Sequence, residues 1–241
     1  ARLVNRLALS PQVKRVPIFG LGCVAGAAGI ARAADYVRAF PDEVAVLLSV
    51  ELCSLTLQRE DLSIPNLIAS GLFGDGAAAV VVAGEGRAAA NGGATGGGPR
   101  ILATRSVFYP DSERVMGWDI TERGFGIVLS ADVPEVARKF LAGDVDRFLA
   151  DHGLARRDVG SWVCHPGGPK VLEAMQESLE LPDGALDLTW RSLREVGNLS
   201  STSVLLVLQD TLDHHRPAPG TLGMLLAMGP GFCSELVLLE W

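Results

Sequence analysis

Short runs of apolar residues alternate with helix-patterned segments along this chain, and the alternation constrains the fold more than any other feature. The runs cover 44–50, 77–83, 204–208 and 236–239, and each is bounded by polar, charged or glycine residues. All are far shorter than the roughly 20 residues that a membrane-spanning helix needs, and such runs are typical of buried strands. The third run also falls inside a helix-patterned segment, 198–212. This alternation predicts a layered α/β fold with a mixed sheet.

The charge distribution limits the classes of partner. The formal net charge is −7, and the basic residues are scattered or lie beside acids. Nucleic-acid binding needs a clustered basic face, so we expect no nucleic-acid partner. We also expect no membrane partner and a cytoplasmic location, since the pattern contains neither a spanning segment nor a secretory signal. The cysteines at positions 23, 53, 164 and 233 show no CxxC spacing, which predicts neither a metal site nor a disulfide framework.

Cys23 is the strongest candidate nucleophile. The apolar stretch 16–19 ends in Gly20-Leu-Gly22, and Cys23 is followed by a helix-patterned segment, an order that predicts strand, sharp turn and helix. Because a helix N-terminus favours an anion, we expect a lowered thiol pKa there. Most buried cysteines are inert packing residues, but the glycines at 22 and 26 allow a substrate to approach the backbone closely.

His165 and Asn198 are the candidate partners of this thiol. His165 follows a predicted strand and precedes Pro166-Gly-Gly168, so its ring should enter a space with little side-chain bulk, where a neutral imidazole takes up protons or stabilises anions. Asn198 lies at the predicted start of a helix, as an N-cap or as an amide donor to an oxyanion. Each residue alone has an ordinary structural explanation. Together, thiol, imidazole and amide at strand–helix junctions indicate thioester chemistry.

Several motifs, in order along the chain, resemble those of type III polyketide synthases of the chalcone and stilbene synthase superfamily. GLGCVAGAAG resembles their nucleophile turn, CHPGGPKVL their histidine motif, GNLSS their asparagine motif and MGPGF their glycine-proline-glycine loop. FGDGAAAVVV and LSADVP match further blocks. The resemblance covers essentially the whole chain and implies a thiolase-like fold of α-β-α-β-α layers with mixed sheets. It also implies two halves, 1–98 with the nucleophile and 99–241 with the histidine and asparagine.

The resemblance also implies a reaction. Cys23 is expected to accept an acyl group from coenzyme A, and His165 and Asn198 to drive malonyl-CoA decarboxylation and stabilise the enolate; the extended chain then cyclises to an aromatic or pyrone product. It implies a homodimer that uses acyl-CoA and malonyl-CoA as substrates and needs no cofactor or metal. The positions implied to bind substrate are Phe73, Cys53, Thr56, Phe125, Ile127, Ser200, Gly229, Pro230 and Gly231. Ile127 departs from the phenylalanine of plant members, and Phe125 is expected to compensate.

Two alternatives stay open at this point. A β-ketoacyl-carrier-protein synthase of the type that starts fatty acid synthesis shares the cysteine, histidine and asparagine, although its histidine motif differs from HPGGP. The second alternative is a non-catalytic thiolase-fold subunit or fragment. Family members carry a much longer segment before the nucleophile than the 22 residues here. We therefore expect that the N-terminal part of the first half is missing from this sequence.

Overall fold

The computed structural model describes residues 2–90, 97–122 and 124–241, and helices and strands alternate along it as the sequence pattern predicts. The helices are α1 (Arg2–Arg6), α2 (Ala25–Ala39), α3 (Ile64–Leu72), α4 (Glu85–Ala90), α5 (Val133–Ala150), α6 (Pro169–Ser178), α7 (Asp187–Val196) and α8 (Ser201–His214). The strands are β1 (Val44–Glu51), β2 (Gly76–Ala83), β3 (Arg100–Phe108), β4 (Met116–Thr121), β5 (Gly124–Leu129), β6 (Val159–Cys164), β7 (Leu222–Gly229) and β8 (Cys233–Glu240). One-turn 3₁₀ helices cover Gly22–Val24, Cys53–Thr56 and Arg156–Asp158.

Four strands form one mixed sheet in the order β3-β8-β7-β6. β8 is antiparallel to both of its neighbours, and β6 joins β7 in parallel. Side chains alternate between the two faces of a strand, and in β7 and β8 both sets are apolar and buried. Met224 and Leu226 pack with α5 and α6, whereas Leu225 and Ala227 pack with α2 and α8. The sheet therefore lies between two helical layers, which confirms the predicted fold class.

Strands β1 and β2 form a separate antiparallel pair that is covered on one face only. The covered face packs on α2 and α8, with Leu47 in the same apolar cluster as Val24. Val46, Leu48 and Val50 point to the other face and are 52–62% exposed. The continuous apolar run predicts a strand buried on both faces. This expectation is wrong, because within the described residues helices pack against only one face of the strand pair.

Three local predictions differ from the structure. The stretch 16–19 is not a strand, since it has no partner strand within the described residues, and Val16 and Phe19 are at least 84% exposed. The run 204–208 is not a strand but part of helix α8, as its place in the helix-patterned segment 198–212 predicts. In the glycine- and alanine-rich stretch 84–99, expected to be a loop, α4 forms, and residues 91–96 lie outside the described residues. Within the described ranges no helix is long and apolar enough to cross a membrane.

Candidate active site

Cys23 lies in the one-turn helix that leads directly into α2, and only 4% of the residue is exposed. Two glycines let the loop between β7 and β8 approach this turn. A Cβ on Gly22, which has a φ of 52°, would lie 2.9 Å from Pro230 Cγ. A Cβ on Gly229 would lie 2.7 Å from the backbone nitrogen of Val24. The nucleophile turn and the glycine-proline-glycine loop are therefore packed directly against each other.

Asn198 is fixed by its backbone to the end of α3. Its N–H donates to Leu72 O at 2.9 Å, and its carbonyl accepts from Gly74 N at 3.0 Å, so that it forms a parallel bridge with Phe73. Its side chain is fully buried. The interpretation of Asn198 as the N-cap of the following helix is wrong, because α8 begins at Ser201 and the Asn198 Oδ1 instead accepts from Ser200 N at 2.8 Å.

The Asn198 carboxamide connects the nucleophile to the histidine loop. Its Nδ2 lies 3.8 Å from Cys23 Sγ and donates to Gly167 O at 3.2 Å. Its Oδ1 lies 4.0 Å from the same sulfur. Gly167 is two residues beyond His165 in the turn that follows β6. One amide thus contacts the thiol and the loop that carries the imidazole.

His165 follows the last residue of β6, and its N–H donates to Leu226 O at 2.8 Å. The residue is only 2% exposed, and neither ring nitrogen has a hydrogen-bond partner among the residues that the structure describes. Burial lowers the pKa of His165 to about 3, so the imidazole is neutral. Buried polar atoms normally have partners, so both ring nitrogens are available to hydrogen-bond a bound molecule.

The protonation state of Cys23 is set mainly by burial, which raises its pKa to about 12. Hydrogen bonds from Ser200 and Asn198 act in the opposite direction, while negative charge at Glu51 and Cys53 raises the pKa further. The sequence-based expectation of a lowered thiol pKa is therefore wrong, since desolvation of the thiolate outweighs the helix terminus. The resting site holds a neutral thiol and a neutral imidazole.

Some of the residues expected to bind substrate act on or contact this centre. Ser200 lowers the pKa of the Cys23 thiol, and Phe73 pairs with Asn198. Cys53 and Thr56 lie in the half-buried turn after β1, where Thr56 Oγ1 donates to Cys53 O at 2.8 Å. On the glycine-proline-glycine loop, Gly231 N donates to Met116 O at 3.4 Å.

Phe125 and Ile127 lie farther out, on the β4–β5 hairpin. Ile127 pairs across the hairpin with Trp118. The Phe125 ring packs edge-on against Trp118 at 5.9 Å and against Phe19 at 6.2 Å. Gln58 Nε2 donates to Phe125 O at 3.3 Å, which ties the hairpin to the segment that follows Thr56. Phe125 thus belongs to an aromatic cluster between the hairpin and the chain that precedes the nucleophile turn, and Ile127 lies opposite one of its members.

An open hollow of about 350 Å³ lies beside the site. Leu72, Pro169 and Gly197 line it, and they flank Phe73, the double glycine and Asn198 along the chain. A larger groove of about 1370 Å³, near Arg156 and Trp162, contains none of the residues predicted for the site.

Comparison with known proteins explains this arrangement. Residues 1–86 match the family model for the N-terminal domain of chalcone and stilbene synthases, and residues 100–240 match the model for their C-terminal domain. The chain belongs to the chalcone and stilbene synthase family. The resemblance inferred from the motifs is therefore confirmed.

Bacterial proteins are among the relatives that the chain matches. The chain is 60% identical over its whole length to a 1,3,6,8-tetrahydroxynaphthalene synthase of Streptomyces peucetius subsp. caesius, and it spans 63% of that protein. It is 43% identical to a putative chalcone synthase of Bacillus subtilis, of which it spans 66%. The crystal structure of the 1,3,6,8-tetrahydroxynaphthalene synthase from Streptomyces coelicolor A3(2) superposes with a TM-score of 0.91 at 34% identity, over all of this chain and 66% of that one.

Family motifs do not mark every polar residue near the nucleophile. Glu51, at the end of β1, accepts from the backbone N–H of Ser201 at 3.3 Å and from its hydroxyl group. Ser49 Oγ lies 2.8 Å from Ser201 Oγ and 2.8 Å from Thr202 Oγ1. The sequence motifs do not predict this cluster. The available signal was the carboxylate of Glu51 directly after an apolar run, together with four consecutive hydroxyl residues after GNL.

Proposed function

We propose that the protein is a type III polyketide synthase that loads an acyl group from coenzyme A onto Cys23 and extends it with malonyl-CoA by decarboxylative Claisen condensation. One observation carries the proposal: the Asn198 carboxamide contacts both the Cys23 sulfur and the loop of an unpartnered, buried His165. The 60% identity to a named synthase of this family supports the same reaction class.

Loading begins from the neutral pair. His165 takes the proton of Cys23, and the thiolate attacks the thioester carbonyl carbon of the acyl-CoA. A new C–S bond forms, the bond to the coenzyme A sulfur breaks, and that sulfur leaves with the proton returned by His165. Because burial disfavours charge on both side chains, the charged pair is expected to exist only while the substrate is bound.

Extension uses the same groups in a second role. When malonyl-CoA occupies the site, the bond to its carboxylate breaks, CO₂ leaves, and the electron pair forms an enolate on the thioester. The Asn198 amide N–H and the N–H of the neutral His165 ring donate to the enolate oxygen. The enolate carbon then attacks the acyl group on Cys23, a C–C bond forms, and the thiolate is released for the next cycle.

The finer assignments belong to the same proposal. We infer acyl-CoA and malonyl-CoA as substrates, a homodimer, and an aromatic product, with 1,3,6,8-tetrahydroxynaphthalene as the first to test because the relative at 60% identity is named for it. The bonds made and broken above balance without a metal or a redox cofactor. Phe73, Cys53, Thr56, Ser200 and the glycine-proline-glycine loop are proposed to surround the growing chain, and Phe125 and Ile127 to bound it from the hairpin.

The test compares the full-length wild-type protein with its Cys23→Ala variant. After incubation with malonyl-CoA, alone and with a panel of acyl-CoA starters, intact-protein mass spectrometry should show an acyl adduct on the wild type and none on the variant. Product formation should fall by roughly 10⁶-fold, as for loss of other catalytic nucleophiles. Cys53→Ala is the matched control and should keep the adduct. An adduct that persists in Cys23→Ala, or loading from an acyl carrier protein in preference to coenzyme A, contradicts the proposal.

A further inference from the structure

Glu51 links the end of β1 to the first turn of α8, next to the nucleophile. Its Oε1 accepts both the N–H and the hydroxyl of Ser201, the first residue of that helix. Ser201 and Ser49, which share a 2.8 Å hydrogen bond, are buried. The first N–H groups of a helix lack partners within the helix and favour a negative charge. A carboxylate is therefore a suitable group to hold this turn.

The turn held by Glu51 contains a strained residue. Ser200 has φ 52° and ψ −131°, a conformation that residues with a side chain adopt only when their surroundings impose it. The same turn supplies two groups to the nucleophile. The Ser200 side chain lowers the pKa of Cys23, and the Ser200 N–H holds Asn198 Oδ1, whose amide contacts the sulfur, at 2.8 Å. If the turn relaxed, both donors would move away from the sulfur.

We propose that Glu51 is a positioning residue for this site: by anchoring Ser201 it keeps Ser200 and Asn198 in place against the Cys23 sulfur. Glu51 acts through these residues and is not itself a nucleophile, acid or base in the reaction. The inference rests on the proposed function only in taking Cys23 as the reactive thiol.

The Glu51 carboxylate also has an electrostatic effect on Cys23, and this effect destabilises the thiolate that the anchoring supports. The titratable groups that act on Cys23 are Glu51 and Cys53, with His165 on the loop that Asn198 contacts, and the negative charge of Glu51 disfavours the thiolate. Glu51→Gln removes the charge but keeps an oxygen that accepts from Ser201. Glu51→Ala removes both. The two variants therefore separate anchoring from charge.

The experiment measures the rate of Cys23 alkylation by iodoacetamide from pH 6 to 9, followed by peptide mass spectrometry on the full-length protein. Glu51→Gln should alkylate faster than the wild type at each pH, because the thiolate forms more easily. Glu51→Ala should alkylate about tenfold more slowly than Glu51→Gln, because the thiolate has lost its donors. In acyl loading, Glu51→Gln should keep kcat near the wild type, while Glu51→Ala should lose about tenfold in kcat with KM little changed.

Two further variants complete the design. Glu43→Ala replaces an exposed carboxylate just before β1 and should match the wild type in both assays. Ser201→Ala removes the hydroxyl bond to Glu51 but keeps the carboxylate, so Cys23 should be alkylated more slowly than in the wild type. This variant keeps the test valid even if Glu51→Ala does not fold. Equal alkylation of Glu51→Gln, Glu51→Ala and Ser201→Ala would overturn the inference. If the wild type loads no acyl group, the proposed function fails, whereas the alkylation rates still decide the role of Glu51.

Discussion

Two opposing influences act on the thiol of Cys23. The start of α2 favours an anion by about 0.3–1 kcal/mol. Desolvation of a fully buried ionisable group disfavours it by up to about 4–7 kcal/mol. With 4% of the residue exposed, desolvation dominates, and the pKa rises to about 12 despite the hydrogen bonds of Ser200 and Asn198. Reactivity at this position thus depends on how the site supports charge once substrate arrives.

This leads to a prediction for the free protein. Because the thiol pKa lies near 12, the thiolate fraction should increase about tenfold for each pH unit up to that value. Alkylation of wild-type Cys23 by iodoacetamide should therefore rise continuously between pH 6 and 9. A small-molecule thiol of ordinary pKa, measured in parallel, should begin to level off near pH 8.5. A plateau for Cys23 below pH 8 would instead indicate a preformed ion pair with His165.

At the scale of single residues, the sequence indicates chemistry better than environment. Cys23, His165 and Asn198 can be selected because the pattern predicts a strand–helix junction beside small residues at each, although of the three His165 alone follows a strand in the structure. The direction in which the Cys23 pKa shifts cannot be predicted from the sequence, because it depends on burial. The Glu51–Ser201 contact is equally hidden, since 150 positions separate the two residues in the chain.

At the scale of elements, the packing of α2 on α8 depends on one glycine. A Cβ added to Gly26 would lie 2.2 Å from the carbonyl oxygen of Ser201 and 2.8 Å from Val204 Cγ1. No side chain fits there unless the first turn of α8 moves. The small residue therefore sets the distance between the nucleophile helix and α8, the helix that Asn198 and Ser200 directly precede.

Gly26→Ala should destabilise the protein by about 1–3 kcal/mol, the usual effect of overpacking a tight contact. Gly71→Ala is the matched control, because Gly71 is also helical but a Cβ there has no neighbour within 4 Å. Alanine in an exposed helix should instead stabilise by up to about 1 kcal/mol. Urea unfolding of the full-length variants measures both values. Equal stabilities for the two variants would mean that α8 adjusts at no cost.

Helices and strands were predictable where a local sequence pattern determines them. They were less predictable where their formation or burial depends on a neighbouring element. Pro134 near the first turn marks α5, and the turn at 229–231 separates β7 from β8, as expected. The stretch 16–19 has strand-like composition, yet a strand needs a neighbour to pair with. One face of β1 carries only Val44, Val46, Leu48 and Val50 and is the more apolar in sequence, yet α2 and α8 pack against the other face.

At the scale of the whole molecule, the site draws on both proposed halves. Cys23 and Glu51 lie before position 98, whereas His165, Asn198 and Ser201 lie after it. The apolar cluster behind the nucleophile likewise combines Val24 of the first segment with residues of α8 and β8. The division at 98/99 stays a prediction. Either way, chemistry at Cys23 requires that the two segments fold together, so the site should be lost when global stability is lost.

The protonation of buried site residues should then shape stability against pH. His165 has a pKa near 3 when folded and about 6.5 when unfolded, so the unfolded chain binds the extra proton as the pH falls. The free energy of unfolding should decrease below pH 6.5 by about 1.4 kcal/mol per pH unit from this group alone. Cys23, at about 12 when folded and 9.0 in its ordinary state, should reduce stability as the pH rises above 9.

Urea unfolding of the full-length protein between pH 4.5 and 7.5 checks the acidic side, where the loss for wild type should be steeper than for His165→Gln. That variant has no imidazole to protonate, so its slope should be smaller by about 1.4 kcal/mol per pH unit. His214→Gln, at the exposed end of α8, is the matched control and should keep the wild-type slope. If His165→Gln and wild type lose stability in parallel, protonation of buried His165 does not drive acid unfolding, and other groups must do so.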